Sequence, residues 1–475
     1  MPEETPKLAS YKRIILCSDG TWLASDTGEK SNPSNVAKLA RAVSNSGPDA
    51  KGNIVKQIVS YHSGLGSGDL PFQKAIYGEL LRLSLPFRFL SNSFTDILLL
   101  HFTGGFGWGL DIEVSQIYDF ISNNYEPGDE LFFFGFSRGA FTVRSVAGLV
   151  CDVGVLSAVH MSRFTEMWEA YRSNTSGEPF RNSAWYLNNK EDLGLTDVRV
   201  KVVGVWDTVG ALGIPEWPVV SWATKAGLPI NMRYAFHNTR VSKNLDYAFQ
   251  ALAIDEKRLT FPPTLWHKTA DGPAKNLQQC WFPGVHGNIG GQRDDLHASA
   301  DFEEVDNLSN MLTFEDAAIK ILIKEHNQAL NSINIPSGWG CGPIVDNFSG
   351  LQGLFFWFLG KKDRAPGSYP RDPGDGTSGA TNEYFHPITR IRKEILGYNP
   401  MPLRGYSIER PHGSAGWKWV KSGVQSIPEY VMHPEKKMSV AYEENGRVKY
   451  RVESSLSRLL CPENILLDLD RDNGI

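Results

Sequence analysis

Seven residues, Glu130 to Phe136 (ELFFFGF), run almost directly into a stretch with helical periodicity, Gly139 to Val150. Only Ser137 and Arg138 lie between them. A run that apolar has no face to offer to water, so a strand there must be covered on both sides. A strand covered twice and followed at once by a helix belongs to a parallel sheet with crossover helices. The same alternation recurs along the chain. Arg13 to Ser18 (RIILCS) is an apolar run ended by Asp19-Gly20, and Asn35 to Val43 has helical spacing with Asn35 as the expected N-cap. Ile54 to Tyr61 reads as the next strand, and Asp111 to Asn124 as a helix closed by Pro127-Gly128. Val198 to Trp206 is a further strand ending at Asp207, followed by shorter ones at Phe249 to Ile254 and Gln278 to Phe282. This predicts an α/β fold with a mostly parallel central sheet flanked by helices.

Two regions stand outside the alternation. Gly78 to His101 is apolar and aromatic but broken by Pro86, Asn92 and Asp96, and reads as a lid-like insertion within 69–103. From about Gly340 onward the chain is rich in Gly, Pro and charge with poor periodicity, and Arg364 to Ala380 reads as a loop. The expected division is a catalytic domain over 12–325 and an irregular C-terminal appendage over 326–475, packed on the main domain. At 475 residues the chain can bury a full core without disulfide or metal staples.

Lys and Arg total 48 against 53 Asp and Glu, a net charge of −5, which argues against a nucleic-acid partner. The five cysteines include no Cys-x-x-Cys pair, and the first residues lack the apolar core of a signal peptide. No run of 18 apolar residues occurs, so a cytoplasmic location is the expectation.

Gly135-Phe136-Ser137-Arg138-Gly139 is a G-x-S-x-G between strand and helix. A sharp elbow there leaves Ser137 Oγ exposed above the carboxyl edge of the sheet, at a helix N-terminus, as a nucleophile. A serine nucleophile needs a base, and the base needs an orienting acid. The elbow architecture predicts the chain order Ser, acid, His. His286 lies in a Gly-rich loop after a short strand (WFPGVHGNIGG), which suits a positioned imidazole. Asp207 and Asp255 both end apolar runs. Asp207 has the better strand and no adjacent charge, whereas Asp255 with Arg258 reads as a structural ion pair. The oxyanion hole is expected from the amide of Arg138 and from the Asp19-Gly20-Thr21 turn, with Gly20 and Thr21 as donors. Asp19 could also order that turn through its side chain.

Other clusters read as structural. Gly64, Gly66 and Gly68 lack a P-loop lysine, and Asp294, Asp295 and His297 lack a coordination frame. Glu383, His386 and Arg390 read as an anchor for the tail. Neither a cofactor nor a metal is expected.

Read together, these stretches resemble a known family, the α/β-hydrolase-like type VI secretion phospholipase effectors. The matching segments are CSDGTW at 17–22, NPSNVAKLARAV at 32–43, YHSGLGSG at 61–68 and GGFGWGLD at 104–111. They continue with GDELFFFGFSRGAFTVRSVAGLV at 128–150, GVWDTVGALG at 204–213, ALAIDEKRLTFPPTLW at 251–266 and WFPGVHGNIGG at 281–291. The family's Ser, Asp and His fall on Ser137, Asp207 and His286. The tail, with RAPGSY at 364–369 and TNEYFHPITRIR at 381–392, looks like that of filamentous-fungal members. The resemblance implies a serine hydrolase acting on a carboxylic ester, with a small-molecule or lipid ester as substrate. Peripheral membrane contact through the lid-like segment is a further expectation. A thioesterase, lactonase or acyltransferase would share the triad, and a non-catalytic interaction module would share the fold.

Overall fold

Alternate residues of the central strands enter two separate cores. Ile14, Leu16, Leu131, Phe133, Val203 and Val205 pack into one, and Ile15, Cys17, Phe132, Phe134, Val202 and Trp206 into the other. Successive side chains of a strand point to opposite faces, so the continuous apolar runs mark a sheet covered on both sides. In this computed structural model the described residues are 7–20, 32–64, 110–174, 178–209, 241–268, 277–291, 311–332, 339–344, 346–348, 360–369, 380–410 and 416–475.

The main sheet has eight strands: β1 (Leu8–Ser18), β2 (Ser46–Pro48), β3 (Ile54–His62), β4 (Glu130–Phe136), β5 (Val200–Trp206), β6 (Leu245–Ala253), β7 (Leu277–Phe282) and, far along the chain, β9 (Glu383–Phe385). Their order is β2-β3-β1-β4-β5-β6-β7-β9, and every pair is parallel except β2 with β3. The order reverses between β1 and β4, and the carboxyl edge at such a point is where open α/β sheets place ligands. Ser18 lies opposite Gly135 and Phe136 opposite Trp206, so β1, β4 and β5 end level with one another.

Three helices flank the sheet near this edge. These are α1 (Asn35–Ala42), α2 (110–124) and α3 (Ser137–Asp152). α1 packs into the Ile15 core, whereas α2 and α3 pack into the Ile14 core. The N-cap of α1 is Ser34 rather than Asn35, because Ser34 Oγ accepts the Ala37 amide at 3.0 Å. All five cysteines are free thiols and buried.

The expected irregular appendage needs correction. A boundary at 325 would cut the helix Asp316–Ser332, which follows β8 (Thr313–Glu315). The hairpin Lys437–Glu444 and Arg447–Ser454 builds a second sheet with β8, and Ser407–Glu409, Lys418–Val420 and Ile427–Pro428 form a third. β9 is the edge strand of the main sheet, and Ile388, Ile391, Leu460 and Leu469 join the Ile15 core. These elements were hard to read because most are only two or three residues long, too short for a period to register. The lid-like segment lies outside the described residues. So do Gly66, Gly68, Thr21, Asp294, Asp295 and His297. Among the described residues no helix is long and apolar enough to cross a membrane.

Candidate active site

Ser137 is the first residue of α3 and has φ 58°, while Phe136 before it is still extended at φ −121°, ψ 141°. A non-glycine residue in the left-handed region is strained, and at a strand-to-helix elbow that strain lifts the side chain clear of both elements. The two glycines of the motif have steric reasons. A Cβ on Gly135 would sit 2.6 Å from the Gly139 carbonyl oxygen, and one on Gly139 would sit 2.2 Å from that of Ser18. The helix therefore starts in direct backbone contact with the end of β1.

Asp207 immediately follows β5, also at positive φ (40°), and is fully buried. Its amide donates to Ala251 O at 2.7 Å, and its Oδ1 accepts the Ala253 amide at 3.1 Å. β6 thus holds the acid at the strand end by backbone groups alone.

His286 opens the short helix His286–Ile289 after the turn Pro283-Gly284-Val285. Gly284 has φ 127°, and Asn288 Oδ1 accepts the Val285 amide at 2.9 Å, so the loop is locked from inside. The His286 amide donates to Glu256 Oε2 at 3.2 Å. The imidazole lies 4.7 Å from the Phe136 ring and edge-on to Phe261 at 4.9 Å. Arg258 pairs with Glu256 and lies over the Phe261 ring at 3.6 Å.

These three side chains meet in one line. His286 Nδ1 lies 2.6 Å from Asp207 Oδ2, and His286 Nε2 lies 2.8 Å from Ser137 Oγ. A carboxylate only accepts, so Nδ1 carries the proton and Nε2 accepts from the serine hydroxyl. Burial alone would raise the Asp207 pKa. The Arg364 guanidinium, and then the His286 hydrogen bond, overcome that and bring it down to about 2. The acid is ionised throughout the working range of an enzyme, and the arrangement is able to pull a proton from Ser137 Oγ.

The alternative acid, Asp255, is turned away. It accepts the Gly284 amide at 2.7 Å and the Tyr398 hydroxyl at 2.5 Å. It is not the ion-pair partner of Arg258 either, since that guanidinium goes to Glu256 at 2.8 and 2.9 Å. Asp255 fixes the turn before His286, and burial raises its pKa.

Gly20 does not fit the donor role expected of it. Its amide donates to Asp19 Oδ1 at 2.7 Å, while Asp19 Oδ2 takes the Ser34 and Tyr61 hydroxyls at 2.5 and 2.7 Å. Asp19 is desolvated, which raises its pKa, and it gathers the nearest donors to compensate. The amide of Arg138 keeps its place in the first turn of α3, where helix amides have no intrahelical acceptor.

Sequence reasoning missed Arg364. It is buried, with Nη1 3.2 Å from Asp207 Oδ1, Nη2 3.0 Å from Asp207 Oδ2, and Nη2 also bound to Phe261 O at 3.0 Å. A lone arginine in a Gly- and Pro-rich loop carries no periodic signal. Glu256, fully buried and bonded to the His286 amide, was missed because Arg258 was assigned to Asp255 instead.

The sheet order, the elbow and the Ser–His–Asp line define an α/β-hydrolase-like protein. More specifically, residues 12–313 match the catalytic domain of the type VI secretion (T6SS) Tle1-like phospholipase effectors, and the chain belongs to that family. An uncharacterized protein of Saccharomyces cerevisiae, YEL023C, is 30% identical over 216 residues, which are 43% of this chain and 28% of that one. A crystal structure of an uncharacterized protein from Pseudomonas aeruginosa aligns over 74% of this chain and 50% of its own, at 15% identity and TM-score 0.33. The structure of the Tle1 effector bound to the VgrG spike aligns over 62% and 53%, at 18% identity and TM-score 0.28. The chain thus spans about a quarter of the yeast relative and about half of each solved chain.

Proposed function

We propose that the protein is a serine hydrolase that cleaves a carboxylic ester of a lipid through an acyl-enzyme. The observation that carries this reading is the continuous hydrogen-bonded line from Ser137 through His286 to Asp207, at 2.8 and 2.6 Å. Membership of a family of phospholipase effectors supports the lipid class of substrate.

In this reading Ser137 Oγ attacks the ester carbonyl as His286 Nε2 takes its proton. Asp207 holds the imidazole in the tautomer that makes this transfer productive and stabilises the imidazolium that results. The Arg138 amide at the start of α3, with the amide of Thr21 as the second donor expected from the sequence, holds the developing oxyanion. His286 then gives its proton to the leaving alcohol, and water repeats the sequence to release the acid. The catalytic unit is the family segment 12–313 together with the tail residues that complete its sheet and reach its acid. The five buried free thiols fit a reducing compartment such as the cytoplasm.

A fluorophosphonate probe tests the reading. It should label Ser137 alone, and a panel of phospholipids and simple esters should yield free acid with wild type and none with Ser137→Ala. Labelling of a different serine, or release of acid by the variant, overturns it. Transfer of the acyl group to an alcohol or thiol in place of water would place the same triad in an acyltransferase.

A further inference from the structure

Most of the charge around the triad is satisfied by partners other than the triad side chains. Glu256, after β6, takes the His286 amide and is neutralised by Arg258, two residues away. Asp255 is occupied by Gly284 and Tyr398, and Asp19 by Gly20, Ser34 and Tyr61. Beside Ser137 stands Arg138, with Glu113 of α2 nearby. Arg364, like Tyr398, comes from the tail, about fifty residues beyond the segment that defines the family, but its guanidinium is spent on the triad acid itself.

The geometry is a fork on a fork. Nη1 bonds Oδ1 and Nη2 bonds Oδ2, so the carboxylate plane is fixed by two parallel contacts. Oδ1 is further held by the Ala253 amide, which leaves one in-plane direction on Oδ2 for His286 Nδ1. Arg364 is itself fixed by Phe261 O, and Phe261 is the ring lying edge-on to the imidazole. The Tyr369 hydroxyl, which accepts the Ala365 amide, closes the tail loop next to it.

We propose that Arg364 is a positioning residue for the triad: it fixes the plane of the Asp207 carboxylate and aims Oδ2 at His286 Nδ1. The inference rests on the hydrolase reading above. Without the guanidinium the carboxylate is free to turn, the imidazole loses its fixed orientation, and attack by Ser137 slows in every folded molecule. A guanidinium that served only to fold the tail would leave the rate per folded molecule unchanged.

The test uses the full chain and the second-order rate of fluorophosphonate inactivation, expressed per labelled Ser137 so that unfolded protein does not count. Arg364→Gln should lower the rate at pH 7 roughly 10- to 100-fold, and added guanidinium ion should restore part of it. Arg364→Lys should react faster than Arg364→Gln but more slowly than wild type, since an ammonium cannot brace both oxygens. A wild-type rate for Arg364→Gln overturns the proposal. Should Arg364→Gln fail to fold, Arg364→Lys decides, and a wild-type rate there overturns it equally. A wild type that is not labelled at Ser137 would instead count against the hydrolase reading itself, taking this inference with it.

Discussion

Ser137 and Asp207 are both non-glycine residues at positive φ, 58° and 40°, and each follows the last residue of a central strand. Backbone strain of this kind costs about 1–3 kcal/mol and persists where the surroundings over-determine it. Ser137→Ala should lower kcat by about 10⁴ to 10⁶ with the fold unchanged. Ser137→Gly should be equally inactive yet more stable than Ser137→Ala by about 1 kcal/mol, since glycine accepts that φ without strain. Urea unfolding of the two variants checks the difference. Asp207→Asn should lose roughly 10⁴-fold in rate while folding normally, because an amide leaves the imidazole in the wrong tautomer. Asp255→Asn, which disturbs only the Gly284 turn and Tyr398, should cost stability first. The opposite pattern would exchange their roles. The depressed pKa of Asp207 has a sign as well. Its ionised form stabilises the fold above the unfolded-state value near 4, and that contribution fades as pH falls from about 4 to about 2. Wild type should therefore lose melting temperature more steeply than Asp207→Asn over that interval.

At the scale of elements, α3 and the end of β4 before it carry three glycines with different tasks. Gly139 has the Ser18 carbonyl 2.2 Å from where a Cβ would stand, and Gly135 has Gly139 O at 2.6 Å. Gly148, in the middle of the same helix, has nothing nearer than the Tyr171 hydroxyl at 3.5 Å. Gly139→Ala should push α3 off the end of β1, destabilise the protein by about 1–3 kcal/mol and slow fluorophosphonate labelling. Gly148→Ala should leave labelling alone and stabilise by about 0.5–1 kcal/mol, the ordinary gain of alanine inside a helix. A thermal-shift and labelling comparison of the two variants separates a glycine required by close approach from one that is merely tolerated.

On the scale of the whole molecule, the tail is part of the body. β9 supplies the last strand of the main sheet, Phe385 is buried in the cluster with Trp281 and Trp419, and Arg364 reaches the acid of the triad. A chain ending at residue 332 would keep all of the residues matched by the family and yet lack these three. It should expose the edge of β7, be degraded quickly by limited proteolysis, and show no labelling at Ser137. A stable, labelled fragment would mean that the tail is dispensable to the fold.

The central sheet was legible because its strands are buried on both faces, and a run such as ELFFFGF has no other stable use. The elbow was legible too, since strand, G-x-S-x-G and helix are contiguous and their chemistry is local. His286 and Asp207 could be picked from the sequence because each follows an apolar strand that ends at the same edge. Arg364 lies 157 residues from Asp207, and the pairing of Asp255 with Tyr398 spans 143. No local pattern encodes such contacts. The alternation of strand and helix set the sheet and its serine, because periodicity acts over neighbouring residues. The brace on the acid, the partner of Asp255 and the place of the tail in the sheet were decided only by tertiary packing, because a buried charge takes whichever partner the folded chain brings within reach.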